Sequence, residues 1–254
     1  MPGEPNRRDS MEPIKHRIAH YWSHRATLFE EQRIREFDSY MKELWLAEIH
    51  RYLPEKQNLK VLDVGTGTGF FAFLLAEEGH SVTGIDLTED MIIGAKRTAE
   101  HLGLKADFTV MDAEAPAFES DSFDVVISRN LTWTLPHVNR AYEQWHRILK
   151  PGGVLINFDA DYCNRAEECK EEREEELPPE HAHKMVSPTM KKENDAITME
   201  IAAYQEPRPQ WDVELLTDIG FERITIDNGV YKRLYANKDE FYNPAPVFVI
   251  AAYK

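Results

Sequence analysis

Residues 61–69 read Val61-Leu62-Asp63-Val64-Gly65-Thr66-Gly67-Thr68-Gly69, an apolar run that enters a turn with glycine at every second position; Phe70 to Leu75 then return to apolar character. Glycine takes positive φ without a Cβ penalty and lets backbone N–H groups approach a ligand closely. The stretch predicts a strand, a bare turn shaped for a nucleotide-like ligand, and a helix. A tight turn with no ligand is the plainer reading, and three alternating glycines argue against it.

Outward from this point the periodicity alternates. Lys60 to Val64, Ser81 to Asp86, Phe108 to Met111, Phe123 to Ser128 and Val154 to Phe158 read as strands, separated by helical patterns over Gly69 to Glu78, Glu89 to Leu102 and Asn139 to Leu149. That rhythm predicts a parallel sheet covered by helices on both faces. It resumes late in the chain with a helix at Asp212 to Asp218 stopped by Gly220, and strands at Arg223 to Ile226 and Val247 to Ala252. No internal repeat is visible.

Three further segments lie outside the alternation. Residues 1–15 are polar, lack the apolar stretch of a signal peptide and read as a disordered tail. Residues 16–58 carry apolar positions at helical spacing from Ile18 to Leu53, predicting two helices with a break near Ser23 to Thr27. Residues 163–210 open on the acidic run Glu167 to Glu176, pass through Pro178-Pro179 and include a helix near Asn194 to Tyr204, as an inserted lid would. The core is thereby divided into 59–162 and 211–254.

A glycine-rich turn after a strand also marks dinucleotide-binding enzymes, whose fingerprint carries a further glycine three residues after the second and an acid roughly 20 residues on. Here the further glycine is replaced by Phe70. The run Asp63, Gly65, Gly67, Gly69 instead resembles the first motif of the class I, Rossmann-like S-adenosylmethionine-dependent methyltransferases of small-molecule type. The resemblance implies a three-layer α/β sandwich with a seven-stranded, mostly parallel sheet and a reversed terminal strand. It implies S-adenosylmethionine as cofactor, S-adenosylhomocysteine as product, and Asp63 near the methionine end above the turn Gly65, Thr66, Gly67, Gly69.

Later motifs follow in the same order. Val82 to Leu87 ends a strand in Asp86, and the resemblance assigns its carboxylate to the ribose hydroxyls, with Leu87 and Met91 flanking the adenine. Met111-Asp112-Ala113-Glu114 is similar to the family's adenine-contacting segment, which selects Asp112 and Ala113. Ligand crevices in open α/β sheets lie beyond the strands' carboxyl ends, so Arg129 and Asn130 are expected near the transferred methyl and Trp133 as an acceptor wall. Lys150-Pro151-Gly152-Gly153 fits a turn. The resemblance covers about Lys60 to Asp159 and weakens outside it.

Within the helical cover, Ala19 to Ala26 looks like the helix that folds over the cofactor in related small-molecule enzymes, placing Tyr21 or Trp22 on the methionine portion; both also fit a helix-face core. Methyl transfer needs alignment and water exclusion more than a base. If a base acts, His137 is the expected catalytic residue, and Tyr162 is expected at the acceptor; a surface histidine at a helix start is the bland reading of His137.

A net charge of −15 and scattered Lys and Arg argue against nucleic acid and favor a small-molecule acceptor. No apolar run reaches the roughly 18 residues of a spanning helix, so no membrane role is expected. Cys163 and Cys169 are too few for a disulfide framework and suit the cytoplasm. His181 and His183 lack metal-site spacing, and no metal is expected. A homodimer stays open, as do a nicotinamide-dependent oxidoreductase and a non-catalytic cofactor-binding module.

Overall fold

The structure is a computed structural model and describes residues 7–162, 186–202 and 205–254. Its sheet is seven-stranded: β1 (Lys60–Val64), β2 (Ser81–Asp86), β3 (Asp107–Val110), β4 (Phe123–Arg129), β5 (Leu149–Asp159), β6 (Glu222–Asp227) and β7 (Phe248–Tyr253). They lie in the order β3-β2-β1-β4-β5-β7-β6. Pairings among β1 to β5 are parallel, and β7 is antiparallel to both its neighbors. The reversed terminal strand expected from the sequence is therefore present, and it is inserted between β5 and β6.

Strand side chains alternate between two cores. Val61, Val125, Ile127, Val154 and Ile156 face one cluster with α3 (Met41–His50) and α4 (Phe70–Glu77). Leu62, Val64, Val126, Leu155 and Ile250 face the other, with α6 (Val138–Ile148) and α8 (Gln210–Ile219). Helix α5 (Glu89–Leu102) joins the first face through Ile92 and Ala95 and ends on Gly103 in the left-handed region. This is the expected three-layer sandwich.

Several boundaries shift for local reasons. The turn Lys150 to Gly153 becomes part of β5 because Gly152 N–H donates to the Lys254 carbonyl at 2.7 Å and Lys254 N–H to the Gly153 carbonyl at 3.0 Å. The expected tail is helical from Arg7, since α1 (Arg7–Ser23) buries Ile14. After α2 (Ala26–Phe37) the chain breaks a second time, where the Ser39 hydroxyl donates to the Glu36 carbonyl and accepts from Met41 N–H. A short α9 (Val230–Leu234) had no counterpart in the sequence reading.

From the expected lid, the structure describes α7 (Pro188–Ala202), whose Ile197 and Ile201 pack with Ile14, Ile18 and Tyr21 of α1. Cys163, Cys169, Glu167 to Glu176, His181, His183 and Tyr204 lie outside the described residues. Among the described residues no helix is long and apolar enough to cross a membrane, and no cluster of His, Cys, Asp or Glu could hold a metal ion.

Two polar anchors tie distant segments together. Asp124 accepts from Lys56 at 2.8 Å, from Lys150 at 2.9 Å and from Lys60 N–H at 2.8 Å. Burial alone would raise its carboxyl, but these partners outweigh that and hold it at about 2. The second anchor is fully buried: Arg208 donates to Asp212 at 2.6 and 2.8 Å, to Asp159 at 3.1 Å and to Thr132 at 2.6 Å. It locks the chain after β4 to the segment entering α8.

Asp124 carries a depressed folded pKa, so its stabilization is complete above the unfolded value of about 4 and is lost as pH falls through about 2. Urea titrations should show Asp124→Asn less stable than the native chain by about 2 kcal/mol at neutral pH, with the gap closing below about pH 4. A gap independent of pH contradicts the assignment. Arg208→Met strands two buried carboxylates and should cost about 3–5 kcal/mol in the same measurement.

Candidate functional site

The turn after β1 is held by the acid that precedes it. Asp63, 2% exposed, accepts from the Thr66 hydroxyl at 2.6 Å and from Ala72 N–H at 3.2 Å, tying strand, turn and helix together. Burial pushes its carboxyl up to about 7 despite those bonds. Gly65, Gly67 and Gly69 have φ of +66°, +54° and +98°. A Cβ at Gly65 would lie 2.7 Å from Leu131, and one at Gly69 2.4 Å from Phe73, whereas at Gly67 it would meet nothing within 4 Å.

Above this turn a cavity of about 300 Å3 follows the carboxyl ends of the strands. Its lining includes Asp63, Gly65, Thr66 and Gly67 from the turn, and Asp86, Leu87 and Met91 after β2. Asp112 and Ala113 join after β3, and Arg129, Asn130, Trp133 and Tyr162 after β4 and β5. Tyr21 and Trp22 close it from α1. Gly69 does not line it; it caps α4 and makes room for the Phe73 ring.

Asp86 accepts from Gly67 N–H at 3.0 Å with one carboxylate oxygen and from Thr88 N–H at 2.9 Å with the other. Burial raises its pKa against these bonds. Asp112 accepts from Glu114 N–H at 2.9 Å and from Lys15 at 2.7 Å, and Lys15 also pairs with the buried Glu114 at 2.7 Å. Lys15 is a lining residue with no motif in the sequence to mark it. It lies in the segment expected to be tail.

On the other side of the turn, Asn130 takes φ of +54° and its N–H donates to the Phe158 carbonyl at 2.8 Å, bending the chain out of β4. Tyr162 donates to the Asn130 side-chain oxygen at 3.2 Å and accepts from Asn243 at 2.9 Å. The Trp133 and Tyr162 rings lie 4.8 Å apart. Trp133 N–H donates to Asp159 at 3.0 Å, and Gln205 donates to the Thr132 and Leu135 carbonyls, so the wall is fixed from behind.

Arg129 is committed to the cover. It donates to Glu36 of α2 at 2.8 Å and lies 4.2 Å from the Trp45 ring center, and Arg33 pairs with the same Glu36. His137 is not brought to the cavity. Pro136 completes the wall, and the His137 N–H is tied to Glu114 at 2.8 Å where α6 begins, so the chain turns away. The sequence also gave no signal for Phe241, Tyr242 and Asn243, which line the cavity from the loop before β7.

The ubiquinone biosynthesis O-methyltransferase of Coxiella burnetii (strain RSA 493 / Nine Mile phase I) is 33% identical over 109 residues, 42% of this chain and 47% of that protein. Phosphoethanolamine N-methyltransferase 2 of Caenorhabditis elegans is 34% identical over 113 residues, 44% and 26% of the two chains. The chain thus spans less than half the length of these curated relatives. Among solved structures, a SAM-dependent methyltransferase of Thermotoga maritima superposes with a TM-score of 0.60 at 20% identity, covering 92% of this chain and 99% of that one. Phosphoethanolamine N-methyltransferase 2 of Haemonchus contortus, in complex with S-adenosyl-L-methionine, gives 0.57 at 21% identity over 82% and 51%. Residues 55–236, which hold the glycine turn, Asp86, Asp112 and the β4 loop, match the family described as methyltransferase domain, and the chain belongs to that family.

Proposed function

We propose that the protein transfers a methyl group from S-adenosylmethionine to a small-molecule acceptor, releasing S-adenosylhomocysteine. The observation that carries this reading is the convergence of the bare Gly65–Gly67 backbone, Asp86 and Asp112 on one cavity. The cradle fits the cofactor: Gly67 lines the cavity with positive φ and no side chain, and a Cβ there would meet no protein atom within 4 Å, so its backbone is open to a ligand. When bound, the cofactor supplies an electrophilic methyl group on a sulfonium.

The chain's own residues then have definable tasks. Asp86 is oriented by the Gly67 and Thr88 N–H groups, with Leu87 N–H and the Thr88 hydroxyl also close, and its carboxylate lines the cavity where two vicinal ribose hydroxyls would donate to it. Leu87 and Met91 give apolar flanks to a planar base, and Asp112 with Ala113 gives its edge an acceptor and a backbone donor. Asp63 faces the cationic methionine end together with Tyr21 and Trp22. Trp133 and Tyr162 wall the acceptor, while the packed pair α1 and α7 excludes water.

No base is assigned. Burial raises the Tyr162 hydroxyl, which stays protonated and positions rather than abstracts. Phe70, buried in the first turn of α4, stands where a dinucleotide fingerprint keeps glycine for close packing, which weighs against a nicotinamide enzyme. The cysteine usage supports a cytoplasmic location.

Titration calorimetry should show S-adenosylhomocysteine binding at one site and NAD not binding. Asp86→Ala should weaken the first by about 1–3 kcal/mol; an unchanged affinity removes Asp86 from the ribose site. Because the Asp63 carboxyl titrates near 7 in the free protein and a cationic ligand favors its anion, S-adenosylmethionine affinity should rise between about pH 6 and about pH 8 with proton release. Asp63→Asn should flatten that rise, and an identical pH profile in the variant contradicts the role.

A further inference from the structure

The cavity is electrically two-sided. The acids that line it, Asp63, Asp86 and Asp112, follow the ends of β1, β2 and β3. Lys15 pairs with Asp112 there, and the other cations of the lining are Arg25, which shares the Phe29 ring with Arg33, Arg33 itself on α2, and Arg129 at the end of β4. An acidic half suits a ligand whose reacting end is a sulfonium beside an ammonium. The basic half needs another explanation, because buried charges are ordinarily paired.

Arg33 and Arg129 share the single carboxylate of Glu36, so this trio carries one uncompensated positive charge. Burial alone would raise the Glu36 carboxyl, and the two guanidiniums outweigh it and hold it ionized. Asp63 lines the other half, but Thr66 and Ala72 hold it, and burial raises its carboxyl to about 7, so it supplies only part of a negative charge at neutral pH. Aromatic faces cover the guanidiniums: Arg129 lies 4.2 Å from the Trp45 ring center and 5.1 Å from Phe70, and Arg33 lies 5.3 Å from Phe29. The buried Nε of Arg129 has no hydrogen-bond partner among the described residues.

A stacked, forked guanidinium that meets Glu36 and the Tyr235 hydroxyl but keeps its Nε–H unmatched is suited to a carboxylate or phosphate. Beside it the cavity is lined by Tyr162, Tyr235, Phe241 and Tyr242, with Asn130 and Asn243 between them, which suits an apolar or planar body. We propose that Arg33, Glu36 and Arg129 form a subsite for an anionic group on the methyl acceptor, making the acceptor a small organic carboxylate or phosphate ester. This assignment rests on the methyltransferase reading above. Arg33 and Arg129 act here as specificity determinants, with Glu36 fixing the angle between them.

The test saturates the full chain with S-adenosylhomocysteine and titrates it by calorimetry with phenyl phosphate, phenylacetate and phenylacetamide, the last keeping the shape of the second acid without its charge. At least one acid should bind about tenfold or more tightly than the amide. Arg33→Gln, checked for folding by its melting curve, should abolish the preference, and Arg33→Lys should retain part of it. Equal binding of acids and amide, no binding of any of them, or an acid preference that survives Arg33→Gln overturns the proposal.

A second arm separates the acceptor from the cofactor's own carboxylate by using 5′-methylthioadenosine, which lacks the amino-acid end. Arg33→Gln should bind S-adenosylhomocysteine and 5′-methylthioadenosine each within about twofold of the native chain. If it loses tenfold for the first and nothing for the second, the cluster holds the cofactor's carboxylate and the acceptor assignment falls. A native chain that binds no S-adenosylhomocysteine at all defeats the methyltransferase reading itself, and the acceptor assignment with it.

Discussion

Between Val64 and Phe70 the backbone must pass from strand to helix within five residues while holding positive φ at Gly65, Gly67 and Gly69. The constraint reaches three neighbors. Leu131 of the β4 loop occupies the space a Gly65 side chain would need, Phe73 of α4 does the same at Gly69, and the Gly67 N–H is fixed by Asp86 at the end of β2. The buried Asp63 carboxylate is the fastener, and its raised pKa records the cost of placing an acid there. Displacing this bend would move the carboxyl ends of β2 and β4 relative to each other, and with them both halves of the cavity.

That geometry also separates charge. Acids that belong to the sheet line one half, and arginines bridging the sheet to the cover line the other. Arg129 therefore has a structural duty as well as a place in the wall, because its pairing with Glu36 and its stacking on Trp45 join β4 to α2 and α3. Lys15 does the equivalent at the far end, joining α1 to Asp112 and Glu114. The cover is thus held by ion pairs at both ends of the cavity and by apolar contacts to α7 between them.

Much of the sheet was legible because its strands are strongly apolar and its turns carry glycine, so that period and punctuation agree. The break at Ser39 was not, since it depends on one hydroxyl bonding on both sides rather than on composition. Motif residues such as Asp86 and Asp112 could be placed because each directly follows a strand. Gly69 belongs to the motif but answers to packing against Phe73, a distinction spacing does not carry.

The misreadings share one cause, which is that nearness in sequence is a poor guide to nearness in space once a chain leaves its strand. His137 follows the β4 loop closely yet is turned away by its backbone bond to Glu114, while Lys15, Arg33 and Asn243 reach the cavity from far along the chain. A crystal structure of the chain with S-adenosylhomocysteine would decide the matter most directly. The ribose hydroxyls should lie within hydrogen-bond distance of the Asp86 carboxylate, with the sulfur between the glycine bend and Asn130. Density for the ligand anywhere else, or a side chain of the protein filling the space above Gly67, would contradict the account.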